Sequence, residues 1–167
     1  VDSFDEIDRL EAAYRDGIGP APDVLIRVTP GVHAHTHEFI STGQDDSKFG
    51  FNLGNGDARR AVARAAASPA VNLVGTHCHI GSNVFRAESF AQAAEVMAGF
   101  AAEVDLPQLV LGGGLGVAYT ADEEAPTISQ WAAVLGAACE ALGVTSEVYV
   151  EPGRSIVADA AVTAYTV

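Results

Sequence analysis

Short apolar runs alternate with helix-patterned stretches along this chain, and each of the last three runs ends in a glycine-rich polar segment. Val24-Leu-Ile-Arg-Val28, Val71 to Thr76, Leu109 to Leu111 and Val148 to Val150 have the length and branching of buried strands. Between them lie Gly56 to Ala67, Ala87 to Val104 and Ile128 to Leu142, which read as helices. A further helix runs from a cap at Asp2 or Ser3 to about Asp16, with Phe4, Ile7, Leu10 and Tyr14 on one face. The resulting β-α-β-α-β-α-β order predicts parallel strands joined by right-handed crossovers.

Two architectures suit a parallel sheet. An open doubly wound sheet concentrates its site at one switch point, whereas a closed barrel gathers functional residues from the ends of many strands. Here polar and glycine-rich segments follow successive strands: His77-Cys-His-Ile-Gly-Ser82, Gly112-Gly-Gly-Leu-Gly116 and Glu151-Pro-Gly-Arg154. That recurrence predicts the α/β barrel. A whole (β/α)8 barrel needs eight strands and typically about 250 residues. Four clear strands, or five if Val1 ends another, make this a partial TIM barrel of about four βα units. Val1-Asp-Ser-Phe and Ala164-Tyr-Thr-Val167 read as cut ends of a longer protein.

Composition narrows the function classes. A net charge of −13 disfavours nucleic acid and anionic membranes as partners. No apolar run reaches the length of a membrane span, and Cys78 and Cys139 read as small core residues of a reducing, cytoplasmic compartment. Trp131 and Met97 are expected in the core. Lys48 is the only lysine. It lies in a polar stretch from Val32 to Asn55 whose length suggests a functional loop. His33, His35 and His37 alternate in the same stretch, but apart from Glu38 no acidic residue lies at convincing ligand spacing, so a metal site there is not expected.

Each glycine-rich segment carries recognisable chemistry. Gly112, Gly113 and Gly114 allow backbone amides to approach an anion such as phosphate, or serve only a tight turn. Strand alternation puts His77 and His79 on one face and Cys78 on the other. The two histidines could ligate a metal, move protons or stack on a planar cofactor, with Gly81 and Ser82 suited to phosphate oxygens, or they could simply be satisfied polar groups at the barrel rim. Glu151 and Arg154 flank a Pro-Gly turn. They could hold a proton on a heterocyclic nitrogen and bind an anion, or simply pair with each other.

Six segments in order resemble the barrel-type pyridoxal-phosphate decarboxylases of ornithine, diaminopimelate and arginine: Ile26–Val32, His35–Gly43, Ser47–Phe51, Gly75–Ser82, Gly112–Val117 and Glu151–Arg154. The His-Thr-His-Glu to Ser-Lys-Phe-Gly stretch is most similar to the diaminopimelate branch. The resemblance implies that residues 1–157 form the second half of a pyridoxal-5′-phosphate-binding barrel of the alanine racemase-like type. Residues 158–167 would begin a C-terminal β domain. It implies that His79 stacks on the pyridine ring, that Ser82 and Gly112, Gly113 and Gly114 hold the phosphate, and that Glu151 faces the pyridine nitrogen. Gly153 and Arg154 would lie beside the phosphate and the substrate carboxylate, with His77 and Lys48 in support.

The implied reaction is decarboxylation of meso-diaminopimelate to L-lysine, by a homodimer acting on a small amino acid. The family's covalent lysine motif and C-terminal cysteine have no counterpart in the chain, so the segment alone is expected to be inactive. A decarboxylase of another branch, a metal-dependent barrel hydrolase and a non-catalytic regulatory relative are the alternatives.

Overall fold

The computed structural model describes residues 1–32 and 48–167. Its first helix, α1 (Phe4–Arg15), starts where Ser3 accepts the Glu6 amide at 3.2 Å. Ser3 is therefore the cap, and Asp2 is used elsewhere: its carboxylate takes Arg27 Nη1 at 2.9 Å and the Gly50 amide at 2.5 Å. Ile7 is fully buried and Phe4 and Leu10 pack beside the core, but Tyr14 is 42% exposed and stands outside it.

Strand β1 (Asp23–Thr29) pairs in parallel with β3 (Asn72–Cys78), β3 with β4 (Gln108–Val110), and β4 with β5 (Glu147–Tyr149). The two-residue β2 (Phe51–Asn52) pairs with Val28 and Thr29 at the far end of β1, giving the sheet order β2-β1-β3-β4-β5. This small strand falls inside a stretch that reads as loop in the sequence, since two residues carry no periodicity. Earlier on the same edge of β1, Val1 donates to Leu25 O at 2.7 Å and accepts from Arg27 N at 2.9 Å. Val1 thus occupies the neighbouring strand position, and the barrel units follow one another in chain order from it to β5.

The connecting helices α2 (Asp57–Ala67), α3 (Ala87–Val104) and α4 (Ile128–Ala141) are built for one layer. In α2, Ala58, Ala61 and Ala65 are buried, and their small side chains let the helix lie close to β1 and β3. In α3, Phe90, Ala93, Ala94, Met97, Phe100 and Ala101 form the buried stripe. Trp131 of α4 meets Phe90 edge-on at 5.6 Å between centroids, and both Trp131 and Met97 are fully buried as expected.

These helices share one core with alternate strand residues: Val24, Ile26 and Val28, then Cys78 and Ile80, then Leu109 and Leu111. The opposite sheet face carries Arg27, Thr29, His77 and His79. Helices on one face and polar groups on the other describe a barrel segment, not a doubly wound sheet. A short helix α5 (Arg154–Val157) and a 3-10 turn (Ala158–Ala160) close the described chain.

Candidate active site

Three strand ends converge where β3, β4 and β5 finish. The peptide after β4 is tied on both sides: Glu151 N donates to Gly112 O at 2.7 Å, and Val84 N donates to Gly114 O at 2.9 Å. Gly116 N returns a bond to Val84 O at 3.0 Å. Side chains have no room in this weave. A Cβ at Gly112, Gly113 or Gly114 would collide with the carbonyl oxygens of Cys78, Glu151 and Gly81 respectively. Gly112 and Gly114 also hold φ of +66° and +95°, which disfavour other residues. The triplet therefore brings three backbones into contact and leaves peptide surface, rather than side chains, between the histidines and Glu151.

His77 and His79 project from the face opposite the buried Cys78, as strand alternation requires. His79 Nδ1 accepts the Gly113 amide at 3.4 Å, which assigns its proton to Nε2. Burial pushes the His79 pKa below the ordinary 6.5, and the charge of Arg27 adds to the effect, against the smaller opposing influence of Glu151 and of the Gly81 backbone. The ring is neutral at physiological pH and half-buried, which suits stacking against a flat heterocycle. Burial pushes the Cys78 thiol up to about 12, so it is a packed thiol without nucleophilic character. Cys139 is likewise free and shifted upward by burial.

Glu151 meets His77 rather than Arg154. The His77 Nε2 to Glu151 Oε2 distance is 3.3 Å, and the carboxylate remains half-exposed. Arg154 Nη1 donates instead to the Tyr119 hydroxyl at 2.5 Å. A simple Glu151–Arg154 pair is thereby replaced by two separate contacts. Ser82 lies on the loop between His79 and α3, partly accessible, and Gly153 precedes α5 in the open. Lys48 places its ammonium 5.2 Å from the centre of the Phe49 ring. His33, His35 and His37 lie outside the described residues. Among the described residues no cluster of three His, Cys, Asp or Glu has metal-binding geometry, and no helix is long and apolar enough to cross a membrane.

Two residues escape motif reading. Arg27 stands next to His77 in register, its charge paired to Asp2 and its guanidinium 4.9 Å from the Phe49 ring centre. A lone arginine inside a buried strand is the signal that would have found it. Tyr119 is an exposed loop residue without any sequence signal.

The site has the parts that pyridoxal phosphate needs. It offers a neutral imidazole for the ring, a carboxylate within reach of His77, a hydroxyl, and a glycine triplet whose missing side chains let three strand ends pack backbone to backbone beside them. Residues 1–158 match the family described as pyridoxal-dependent decarboxylase, pyridoxal binding domain, and the chain belongs to that family.

Several of the similar proteins within it are diaminopimelate decarboxylases. Diaminopimelate decarboxylase of Bacillus subtilis is 42% identical over 182 residues, covering 100% of this chain and 40% of the relative. The Actinosynnema pretiosum enzyme of the same name is 43% identical over 174 residues, covering 100% of this chain and 39% of the relative. Among solved structures, diaminopimelate decarboxylase from Helicobacter pylori complexed with L-lysine superposes with a TM-score of 0.80 at 32% identity. The match covers 93% of this chain and 39% of that one. The M. jannaschii enzyme in co-complex with L-lysine gives a TM-score of 0.82 at 31% identity, covering 93% and 38%. The chain thus spans about 40% of the length of the curated relatives it matches.

Proposed function

We propose that the full-length protein is a pyridoxal-phosphate-dependent decarboxylase converting meso-diaminopimelate to L-lysine and CO2, and that this chain supplies most of the non-covalent cofactor grip. The convergence of His79, the glycine triplet and Glu151 at three adjacent strand ends carries this reading. When bound, the cofactor supplies an electron sink for the pair left behind as CO2 departs.

The roles of the chain's residues follow from their chemistry. His79 lays its neutral ring against the heterocycle, with the Gly113 bond fixing its plane. Glu151 keeps a proton on the ring nitrogen, and His77 steadies the carboxylate from its other side. Ser82, Gly112, Gly113, Gly114 and Gly153 surround the phosphate with a hydroxyl and close-approaching peptides. Arg154 receives the substrate carboxylate. Lys48 is the chain's only lysine, and it engages Phe49. The covalent attachment of the cofactor is accordingly assigned to another part of the full protein, and the chain alone should not turn over.

Family matching stops at residue 158, which supports a second domain beginning there. The reading includes a homodimer in the cytoplasm, a reducing compartment in which two free thiols are at home.

Steady-state kinetics of the full-length holoenzyme on meso-diaminopimelate, ornithine, arginine and lysine test the assignment. Diaminopimelate should be preferred by at least about a hundredfold in kcat/KM. Preference for ornithine or arginine would move the protein to another branch, and absence of CO2 release from all four would remove the decarboxylase reading.

A further inference from the structure

Arg154 is held by a phenol hydroxyl and not by a carboxylate. Arg27, Arg59, Arg60 and Arg64 each pair with a carboxylate. Arg154 has no carboxylate partner among the described residues, and a neutral phenol oxygen accepts its Nη1 proton at 2.5 Å. The contact fixes the guanidinium without cancelling its charge. That is the arrangement a site needs if the charge is reserved for an anionic ligand, because a carboxylate partner would have to be displaced first.

Tyr119 itself is anchored. Its amide donates to Glu123 Oε2 at 2.7 Å, the Thr120 amide reaches the same oxygen at 3.3 Å, and Glu123 N donates back to Thr120 O at 3.2 Å. This knot lies on the connection that leaves the glycine triplet, so Tyr119 is tied to the same loop as the phosphate cradle. Its hydroxyl accepts from Arg154 through a lone pair, which leaves the hydroxyl proton to donate elsewhere. A hydroxyl polarised by a guanidinium is a better donor than a free one.

Resting on the assignment of Arg154 to the substrate carboxylate, we infer that Tyr119 is the positioning residue of that site. It aims Arg154 and adds its own O–H as a second donor to the same carboxylate. Tyr119→Phe keeps the ring and removes both functions. In the full-length holoenzyme it should raise KM for meso-diaminopimelate about tenfold while kcat falls less than about threefold, a loss of binding and not of chemistry. In an Arg154→Gln background the same substitution should raise KM only about threefold, because the aiming role is already gone and the direct O–H contact alone remains to be lost. An unchanged KM in the single variant, or full additivity in the double, overturns the inference.

A second measurement does not depend on turnover. With 15N-labelled arginine, exchange of the Arg154 guanidinium protons in the full-length protein should accelerate several-fold in Tyr119→Phe, and an unchanged rate overturns the positioning role. Should the full-length protein fail to decarboxylate diaminopimelate, the functional reading falls, while the exchange rate still decides whether Tyr119 holds Arg154.

Discussion

His79 shows how one side chain is prepared by its surroundings. Its Nδ1 is committed to the Gly113 amide, and its half-buried ring faces the charge of Arg27 and the neighbouring His77. Protonation is opposed by each of these. The consequence for stability follows from linkage: with the folded pKa below the ordinary 6.5, the unfolded chain binds a proton that the folded chain does not. Stability attributable to His79 is complete above about pH 6.5 and is lost as pH falls from there towards the lowered value. Urea midpoints at pH 7.5 and 5.5 should therefore fall on acidification, and fall less in His79→Phe. An equal drop in both would contradict the assignment of a depressed pKa. The imidazole's position was legible from strand alternation, which separated His77 and His79 from Cys78. Its protonation was not, because Arg27 approaches from a strand about 50 residues earlier and only the fold brings them together.

At the scale of elements, α4 carries the most explicit local instructions. Thr127 accepts the Gln130 amide at 3.2 Å while Gln130 Oε1 accepts the Thr127 amide at 2.8 Å, a reciprocal capping box. Thr127→Ala should destabilise the chain by about 1 kcal/mol. The single tryptophan, Trp131, sits fully buried in this helix, so its fluorescence follows the unfolding transition directly. No shift in the urea midpoint would show that α4 is held by its packing on α3 alone.

The long elements were readable because their periods are long enough to count. The stripe of α3 and the alanine face of α2 repeat over several turns. By contrast, β2 has two residues and α5 has four, too few to show any period, and β2 exists because β1 supplies its partner. The Glu151–Arg154 pairing was open in the sequence for the same reason. Three residues of separation put the two groups near each other, but His77 on β3 and Tyr119 after β4 claim them.

The whole molecule is a one-sided layer. Its helices cover one face of a parallel sheet, and its glycine-rich ends gather at the carboxyl ends of the strands, where barrels build their sites. The outer edge of β5 has no strand beside it among the described residues, and Val148, Tyr149 and Val150 are each about 40% exposed. Such an edge fits a chain that spans about 40% of the length of its relatives. The run of β1, β3, β4 and β5 was legible because each strand is a local signal: a run of apolar residues followed by a polar or glycine-rich segment.

Hydrogen–deuterium exchange of the full-length protein, with and without pyridoxal 5′-phosphate, tests the placement of the cofactor most directly. Protection is predicted at residues 79–84, 112–116 and 151–154, with α1 and α2 unaffected. Protection confined to other segments, with exchange in these three strand ends unchanged, would contradict the claim that they form the cofactor grip.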